Sequence, residues 1–142
     1  MQTVSQLLKV KGGQIFAVAP TDSVLQAIEL MATRHVGALL VMNQGSLQGI
    51  ISERDYARKV ILKNRSSSDT RVSDIMTASP VTVAPDHTVH QCMELMTEGR
   101  FRHLPVVESG RVIGMLSIGD LVKAVIEEQQ DQIAQLERYI AG

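Results

Sequence analysis

Aromatic residues are scarce in this chain of 142 residues, which contains two Phe, two Tyr and no Trp. Its hydrophobic core must therefore be built from Val, Ile, Leu and Met, which the sequence supplies in quantity. Any nucleobase bound by such a chain would lie among aliphatic side chains rather than on an aromatic platform. Recognition by aromatic stacking is thus excluded as the main mode of binding.

Cysteine, net charge and long apolar runs are also lacking. One cysteine excludes an internal disulfide framework and fits a reducing, cytoplasmic location. A net charge of −1 and a pI of about 6.4 provide no basic field, so we expect no nucleic-acid partner. No apolar run approaches the roughly 18 residues that a membrane span needs, and no signal-peptide pattern is visible, so we expect no membrane partner.

What the sequence does contain is an internal repeat. Val18-Ala19-Pro20 reappears as Val83-Ala84-Pro85, and Glu29-Leu30-Met31 reappears as Glu94-Leu95-Met96. The offset stays at 65 positions without a gap from Val18 to Asp55, and roughly a third of the paired residues are identical. A shorter similarity precedes each copy at an offset of 68, so the first copy carries three extra residues near Lys11. The chain therefore consists of two related halves.

Each copy is predicted to have the element order β-α-β-β-α. Ser23-x-x-Gln26 and Thr88-x-x-Gln91 are capping-box patterns that open helices with apolar residues at helical spacing. Gly45 and Gly110 follow short polar stretches, which is typical of hairpin turns. The predicted elements are strands at Ile15–Val18 and Val81–Val83, helices at Val24–Thr33 and Val89–Thr97, and hairpin strands at Ala38–Met42, Leu47–Ile51, Leu104–Val107 and Arg111–Leu116.

These patterns predict an α/β fold in which two repeats pack together. We place the first repeat at residues 1–63, a polar linker at 64–71, the second repeat at 72–126 and a helical extension at 127–142. One unit of about 50 residues buries too little surface to be stable alone, so the two are expected to pack sheet against sheet.

The last helix is predicted to run from about Ile118 to Tyr139, beyond what one repeat can cover. Its apolar positions follow a heptad spacing with one polar interruption, at Val122, Ile126, Gln129, Ile133, Leu136 and Ile140. Such a seam either caps the edge of the domain or pairs with a second chain. We favour pairing, and hence a homodimer.

Both repeats end in the motif Gly-x-x-Ser-x-x-Asp, as Gly49–Asp55 and Gly114–Asp120. One interpretation is purely structural, with Ser at the N-cap of a helix and Asp three residues later in a capping box. The other is a ligand site, because free N–H groups and the positive end of the helix dipole favour a phosphate at such a position. The motif alone does not decide between them.

The repeat resembles a tandem pair of CBS (cystathionine-β-synthase) domains, the arrangement called a Bateman module. The resemblance covers nearly the whole chain and rests on the repeat length, the element order, Ile51–Arg58, Arg102–Val106 and the two Gly-x-x-Ser-x-x-Asp ends. It is greatest to the small stand-alone members of the family. It implies a pseudo-two-fold pair, a dimeric disc, and regulatory binding of an adenine nucleotide such as AMP, ATP or NAD between the repeats.

The resemblance also implies roles for residues. Asp120 would accept hydrogen bonds from both ribose hydroxyls while Ser117 holds a phosphate, and Asp55 and Ser52 would do the same in the first site. Arg54 would contact a phosphate, and Lys11-Gly12 would supply a cation for the first site. Positive charge for the second site would come from Arg100, Arg102 and His103. Adenine would lie in a pocket of Ile15, Ile50, Val81 and Met115, and the neighbouring candidates are Gly37, Ala38, Thr77, Leu104, Pro105 and Gly119.

We find no pattern that predicts catalysis, since no P-loop, dinucleotide fingerprint, nucleophile–His set or paired carboxylates are visible. His87 and His90 are three positions apart but lack a carboxylate or thiol partner, so we predict no metal site and no catalytic cofactor. The expected function is a ligand sensor that passes its bound state to an unidentified regulated protein or to the dimer interface. The alternatives are an interaction module with vestigial ligand sites and an enzyme acting on a nucleotide.

Overall fold

The computed structural model describes residues 2–141. These residues form two compact units, each with its own hydrophobic core. The first unit comprises residues 15–81. The second unit comprises residues 2–14 together with 82–141.

The first unit is built on a four-stranded sheet in the order β1-β2-β3-β4. Strand β1 is parallel to β2, and the other neighbours are antiparallel. Its core includes Val24, Leu39 and Ile51, all fully buried. In chain order its elements are β1 (Ala17–Val18), α2 (Val24–Arg34), β2 (Ala38–Asn43), β3 (Ser46–Ser52), α3 (Glu53–Lys59), a 3-10 turn (Ile61–Lys63), α4 (Val72–Ile75) and β4 (Thr77–Ala78).

The second unit contains a two-stranded antiparallel sheet, to which Val83 adds one parallel bridge at Val106. Leu104, Leu116 and Leu121 lie in its core and are fully buried. In chain order its elements are α1 (Val4–Lys11), α5 (Val89–Gly99), β5 (His103–Glu108), β6 (Arg111–Ser117) and α6 (Ile118–Ala141).

The α/β class, both hairpins and the long last helix are confirmed. Both predicted capping boxes form, with Ser23 and Thr88 as N-caps. Gln44-Gly45 and Ser109-Gly110 all have positive φ, which is the backbone that a two-residue hairpin turn requires. The two hairpins even share a register shift at equivalent positions, so the repeat extends to fine backbone detail.

The outer strands are shorter than predicted. Strand β1 covers only Ala17–Val18 of the expected Ile15–Val18, and Val83 forms an isolated bridge where Val81–Val83 was expected. In both segments the missing residues lie at the N-terminal end, at Ile15–Phe16 and Val81–Thr82. The sequence also gave no indication of β4.

The short segments that precede the two repeats are exchanged between the units. Helix α1 packs in the second unit, where the Val4 amide donates to the His87 carbonyl at 2.9 Å. Helix α4 packs in the first unit, where the Val72 amide donates to the Asp22 carbonyl at 2.8 Å. Thr70, expected in a linker, is 4% exposed and its carbonyl accepts from the Val24 amide. The packing units therefore differ in composition from the sequence repeats at 1–63 and 72–126.

Among the described residues, no helix is both long enough and apolar enough to cross a membrane.

Candidate functional site

In the second unit, strand β6 ends at Ser117 and helix α6 begins at the next residue. The Asp120 amide donates to Ser117 Oγ at 3.2 Å, and the Ser117 amide donates to Asp120 Oδ2 at 2.8 Å. This reciprocal pair is a capping box, so the structural interpretation of the motif holds. It also fixes a carboxylate and a hydroxyl side by side at the N-terminus of a helix. We call this arrangement the Asp120 corner.

A lysine from the N-terminal helix reaches the Asp120 corner. Lys11 Nζ lies 2.6 Å from Asp120 Oδ2 and 2.6 Å from the carbonyl oxygen of Met115. The two side chains are 38% and 27% exposed, so water screens the ion pair. An exposed pair of this kind stabilises a fold by at most about 1 kcal/mol. A ligand could therefore replace Lys11 as the partner of the Asp120 carboxylate at little cost.

The environment of Asp120 favours its charged form. Partial burial raises the pKa of its carboxyl, but the hydrogen bond from Lys11, the bonds from Ser117 and the charge of Lys11 outweigh that effect. The net pKa lies below the ordinary value. At neutral pH Asp120 is thus an ionised acceptor, the form that binds hydroxyl donors best.

His103 stands opposite Ser117 in the β5–β6 ladder and faces the same charges. Burial lowers the pKa of its imidazole, the Lys11 charge lowers it further, and the Asp120 charge opposes them only in part. A neutral imidazole at neutral pH offers one donor and one acceptor rather than a positive charge. The expectation that His103 adds positive charge to the second site is therefore wrong at neutral pH.

The first unit contains the equivalent arrangement, the Asp55 corner. The Asp55 amide donates to Ser52 Oγ at 3.2 Å, and the Ser52 amide donates to Asp55 Oδ2 at 3.0 Å. The lysine here is local, because Lys59 Nζ lies 3.2 Å from Asp55 Oδ1 one helical turn later and donates to the Ile75 carbonyl. Both corners thus pair their carboxylate with a lysine that also bonds a backbone carbonyl.

The lysine at the Asp120 corner differs from the sequence-based prediction. Lys11 was expected to serve the first site, yet its ammonium group lies at the Asp120 corner. The reason is that helix α1 packs in the second unit, although it precedes the first repeat in the sequence. Its position in the sequence did not indicate this packing. Lys59 was missed, although its i, i+4 spacing from Asp55 is a recognised ion-pair signal on helices.

The other candidates divide by unit and by accessibility. Leu104 and Ala38 lie in the cores, at 0% and 1% exposure, so their side chains do not line an open site. Ile15 and Val81 are 37% and 46% exposed, so their side chains are accessible to a ligand. Ile50 and Pro105 are buried. The partly or fully exposed candidates are Gly37, Arg54 and Thr77 in the first unit and Gly12, Arg100, Arg102, Met115 and Gly119 in the second.

His87 and Cys92 have local structural roles. His87 Nδ1 accepts from the Ala84 amide at 2.9 Å, so this nitrogen takes part in a local backbone hydrogen bond. Within residues 2–141, no cluster of three or more His, Cys, Asp or Glu side chains is suited to hold a metal. Cys92 is buried in the core of the second unit, and burial raises the pKa of its thiol, which makes it a poor nucleophile.

Comparison with known proteins identifies both repeats. Residues 11–62 and 72–127 each match the family model described as the CBS domain, so the matches cover well over half of the chain. A CBS domain-containing protein of Arabidopsis thaliana, CBSX3, named as mitochondrial, is 43% identical over 99% of this chain and 72% of its own length.

Solved structures agree with the fold. A putative signal-transduction protein with CBS domains from Burkholderia ambifaria is 52% identical with a TM-score of 0.87. The match covers 90% of this chain and 96% of that one. A more distant CBS domain protein from Pyrobaculum aerophilum was solved in complex with AMP. It is 25% identical with a TM-score of 0.74, covering 83% of this chain and 88% of that one.

Proposed function

The chain belongs to the CBS domain family, and on this premise we propose that it is a regulatory module that binds adenine nucleotides. The observation that carries the proposal is the twofold occurrence of an accessible Ser-x-x-Asp corner, one in each unit. AMP is the first candidate because a protein with the same fold is known as an AMP complex. ATP and NAD share its adenosine group and are the next candidates.

The chemistry of the Asp120 corner suits adenosine monophosphate. An ionised carboxylate accepts two hydroxyl donors, as a ribose diol offers, and a hydrogen bond to a charged group contributes roughly 1.5–3 kcal/mol. The positive end of the α6 dipole and the Ser117 hydroxyl suit a phosphate. In the unliganded chain the Ile118 amide donates to the Arg102 carbonyl, and the Asp120 amide donates to Ser117 Oγ. We propose that Asp120 binds the ribose and Ser117 the phosphate, with Asp55 and Ser52 in the same roles in the first unit.

Lys11 has a defined part in this proposal. A ribose diol that binds Asp120 must displace the ammonium group, which then becomes available for the phosphate of the same ligand. Exchanging one anionic partner for another costs little, whereas adenosine without a phosphate offers Lys11 no replacement. The Asp120 corner should therefore prefer phosphorylated ligands.

The apolar part of the ligand also has candidate contacts. Ile15 and Val81 are partly exposed in the first unit, and Met115 is partly buried in the second. Aliphatic side chains of this kind can cover the faces of a purine, and the sequence supplies almost no aromatic residue to do so. We propose that they contact adenine, with Arg54, Arg100 and Arg102 near the phosphates.

We propose a binding module rather than an enzyme. The polar groups at each corner form one capping box and one ion pair, and neither contains a nucleophile activated by a base. We further propose a homodimer in the cytosol, because the seam of α6 is exposed in the single chain and the one cysteine is unpaired. This location differs from that in the name of the Arabidopsis relative.

A second function is favoured by the same ion pairs. Each corner already has a lysine on its carboxylate, so both are electrostatically satisfied without a ligand. On that basis the corners would be vestigial, and the chain would act as an interaction module through α6.

Isothermal titration calorimetry with AMP, ATP and NAD separates the two functions. The sensor proposal predicts saturable heat for at least one nucleotide below millimolar concentration. Adenosine and inorganic phosphate, titrated separately as controls, should each bind more weakly than AMP. No heat with any nucleotide would favour the interaction module, and turnover of a bound nucleotide would contradict the non-enzymatic proposal.

A further inference from the structure

Helix α6 extends beyond the unit that it belongs to. Its 24 residues span about 36 Å at 1.5 Å per residue. Leu121 and Ala124 are buried against the core of the second unit, whereas every described residue from Gln129 onward is exposed. A helical extension of 13 residues that is exposed along its whole length is marginal in water. The extension is therefore a candidate surface for a partner outside the single chain.

The exposed surface of α6 includes an apolar seam with one polar interruption. It runs along one side of α6, adjacent to the face that packs on the core, and its exposure rises from 42% at Val122 to 82% at Ile140. Heptad positions a and d alternate along it, interrupted only by Gln129. Its apolar members are Val122, Ile126, Ile133, Leu136 and Ile140.

We propose that a second copy of this chain covers the seam, with the two α6 helices antiparallel and centred near Asp131. The apolar layers of such a pair are Val122 against Ile140 of the second copy and Ile126 against its Leu136. Each layer occurs twice by symmetry. The exposed C-terminal part of α6 in one copy lies along the N-terminal part of α6 in the other, which packs on its own core. This inference rests on the proposed homodimer and not on nucleotide binding.

Charge favours this orientation. On the solvent side of the antiparallel seam, Lys123 lies opposite Glu137 of the second copy, and Gln130 lies opposite itself. The symmetric arrangement therefore forms two oppositely charged pairs and no like-charged pair. In a parallel arrangement Lys123 would instead flank Ile118 and Glu137 would flank Gln132, so no charged pair would form.

A groove beside the seam supplies a place for the second copy. Helices α5 and α6 border a groove of about 370 Å³ lined by His90, Met93, Glu94, Thr97, Glu98 and Val125. On the core side of the antiparallel seam, Val125 faces Tyr139 of the second copy. Tyr139 is 86% exposed in the single chain. Its ring would fill the groove with an apolar body and keep its hydroxyl at the polar rim.

Charge reversal tests the orientation by sedimentation equilibrium of the full chain. Lys123→Glu and Glu137→Lys should each weaken dimerisation roughly tenfold, because each replaces two attractions by two repulsions. The double variant should return to within about twofold of the wild type. Asp131→Lys, a change of the same size on the opposite face of α6, is the matched control and should leave the dimer unchanged. Circular dichroism checks that each variant keeps its helix.

Cysteine cross-linking is the independent readout. With a short bismaleimide, Gln132→Cys should cross-link efficiently because residue 132 lies beside the symmetry centre. Tyr139→Cys should not, because the two copies of residue 139 lie about 20 Å apart along the antiparallel axis. Equal cross-linking of the Gln132→Cys and Tyr139→Cys variants would overturn the antiparallel pairing but not the homodimer. Unchanged dimerisation in the charge-reversal variants would have the same meaning. A monomeric wild type would overturn the pairing and the homodimer together, and none of these outcomes bears on nucleotide binding.

Discussion

The Asp120 and Asp55 corners have nearly the same backbone but obtain their lysine from different places. At Asp55 the partner is Lys59, one turn along the same helix. At Asp120 the partner is Lys11, which is 109 positions away in a helix that packs from outside the repeat. The capping-box geometry is thus shared by the two repeats, whereas the segment that supplies the lysine differs between them. Among the described residues, Lys11 connects the Asp120 corner directly to α1.

The largest expected effect comes from removing the charge of each carboxylate. Asp120→Asn keeps an acceptor for the Ser117 amide but loses the charged contact with a ribose, so AMP affinity should fall at least tenfold at that corner. Asp55→Asn should do the same at the other. Calorimetry measures both, with thermal melting of the apoprotein as the control. A fall in stability without a change in affinity would assign both carboxylates to helix capping alone.

The two glycines that begin these motifs should respond unequally to alanine. A Cβ at Gly49 would lie 2.5 Å from the Thr77 carbonyl oxygen, a backbone atom of β4 that cannot move without breaking the sheet edge. A Cβ at Gly114 would lie 2.7 Å from Leu8 Cδ2, the end of a flexible side chain. We expect Gly49→Ala to cost about 2 kcal/mol of unfolding free energy and Gly114→Ala less than about 1 kcal/mol. Urea denaturation measures both, and equal costs would contradict the difference.

The two lysines should differ in what they do to ligand selection. Lys11→Met removes the competitor from Asp120 and also the cation that we assign to the phosphate, so adenosine should bind more tightly and AMP less tightly. The ratio of the two affinities should shift by up to about fivefold, the equivalent of one exposed ion pair of about 1 kcal/mol. Lys59→Met is the matched control for the Asp55 corner. In addition, hydrogen exchange in α1 should rise in Lys11→Met and stay unchanged in Lys59→Met.

The smallest expected effect is a pH dependence confined to the second unit, since Ala38 occupies the position equivalent to His103. Burial and the Lys11 charge lower the pKa of His103 in the folded state, so the unfolded chain binds the proton more readily. Stability should therefore decrease as pH falls below the ordinary histidine value of about 6.5. Thermal melts between about pH 7.5 and 5.5 measure this slope. His103→Gln should flatten it, and an unchanged slope in that variant would contradict the assignment to His103.

Much of the fold was predictable because its signals are local. Capping boxes, hairpin glycines and the heptad spacing of α6 each depend on residues within a few positions. The helices and hairpin strands formed close to their expected bounds, whereas the outer strands did not. The shared offset also located the two corners correctly. What they bind remains a prediction.

The contacts that sequence reasoning missed are those between distant segments. The similarity of Val4–Leu8 to Val72–Met76 indicated a repeated segment, but not that each copy packs in the other repeat's unit. The position of Lys11 follows from that exchange, so its partner could not be inferred from spacing. Lys59 was predictable in principle, because its i, i+4 spacing from Asp55 is a local ion-pair signal on a helix.

The central claim is that each unit binds one adenine nucleotide through its Ser-x-x-Asp corner. Native mass spectrometry of the full chain with excess AMP tests it most directly, because it counts ligands per chain. We expect two bound AMP molecules in the wild type, one in Asp55→Asn or Asp120→Asn, and none in the double variant. An unliganded wild type, or a double variant that binds AMP as the wild type does, would contradict the claim.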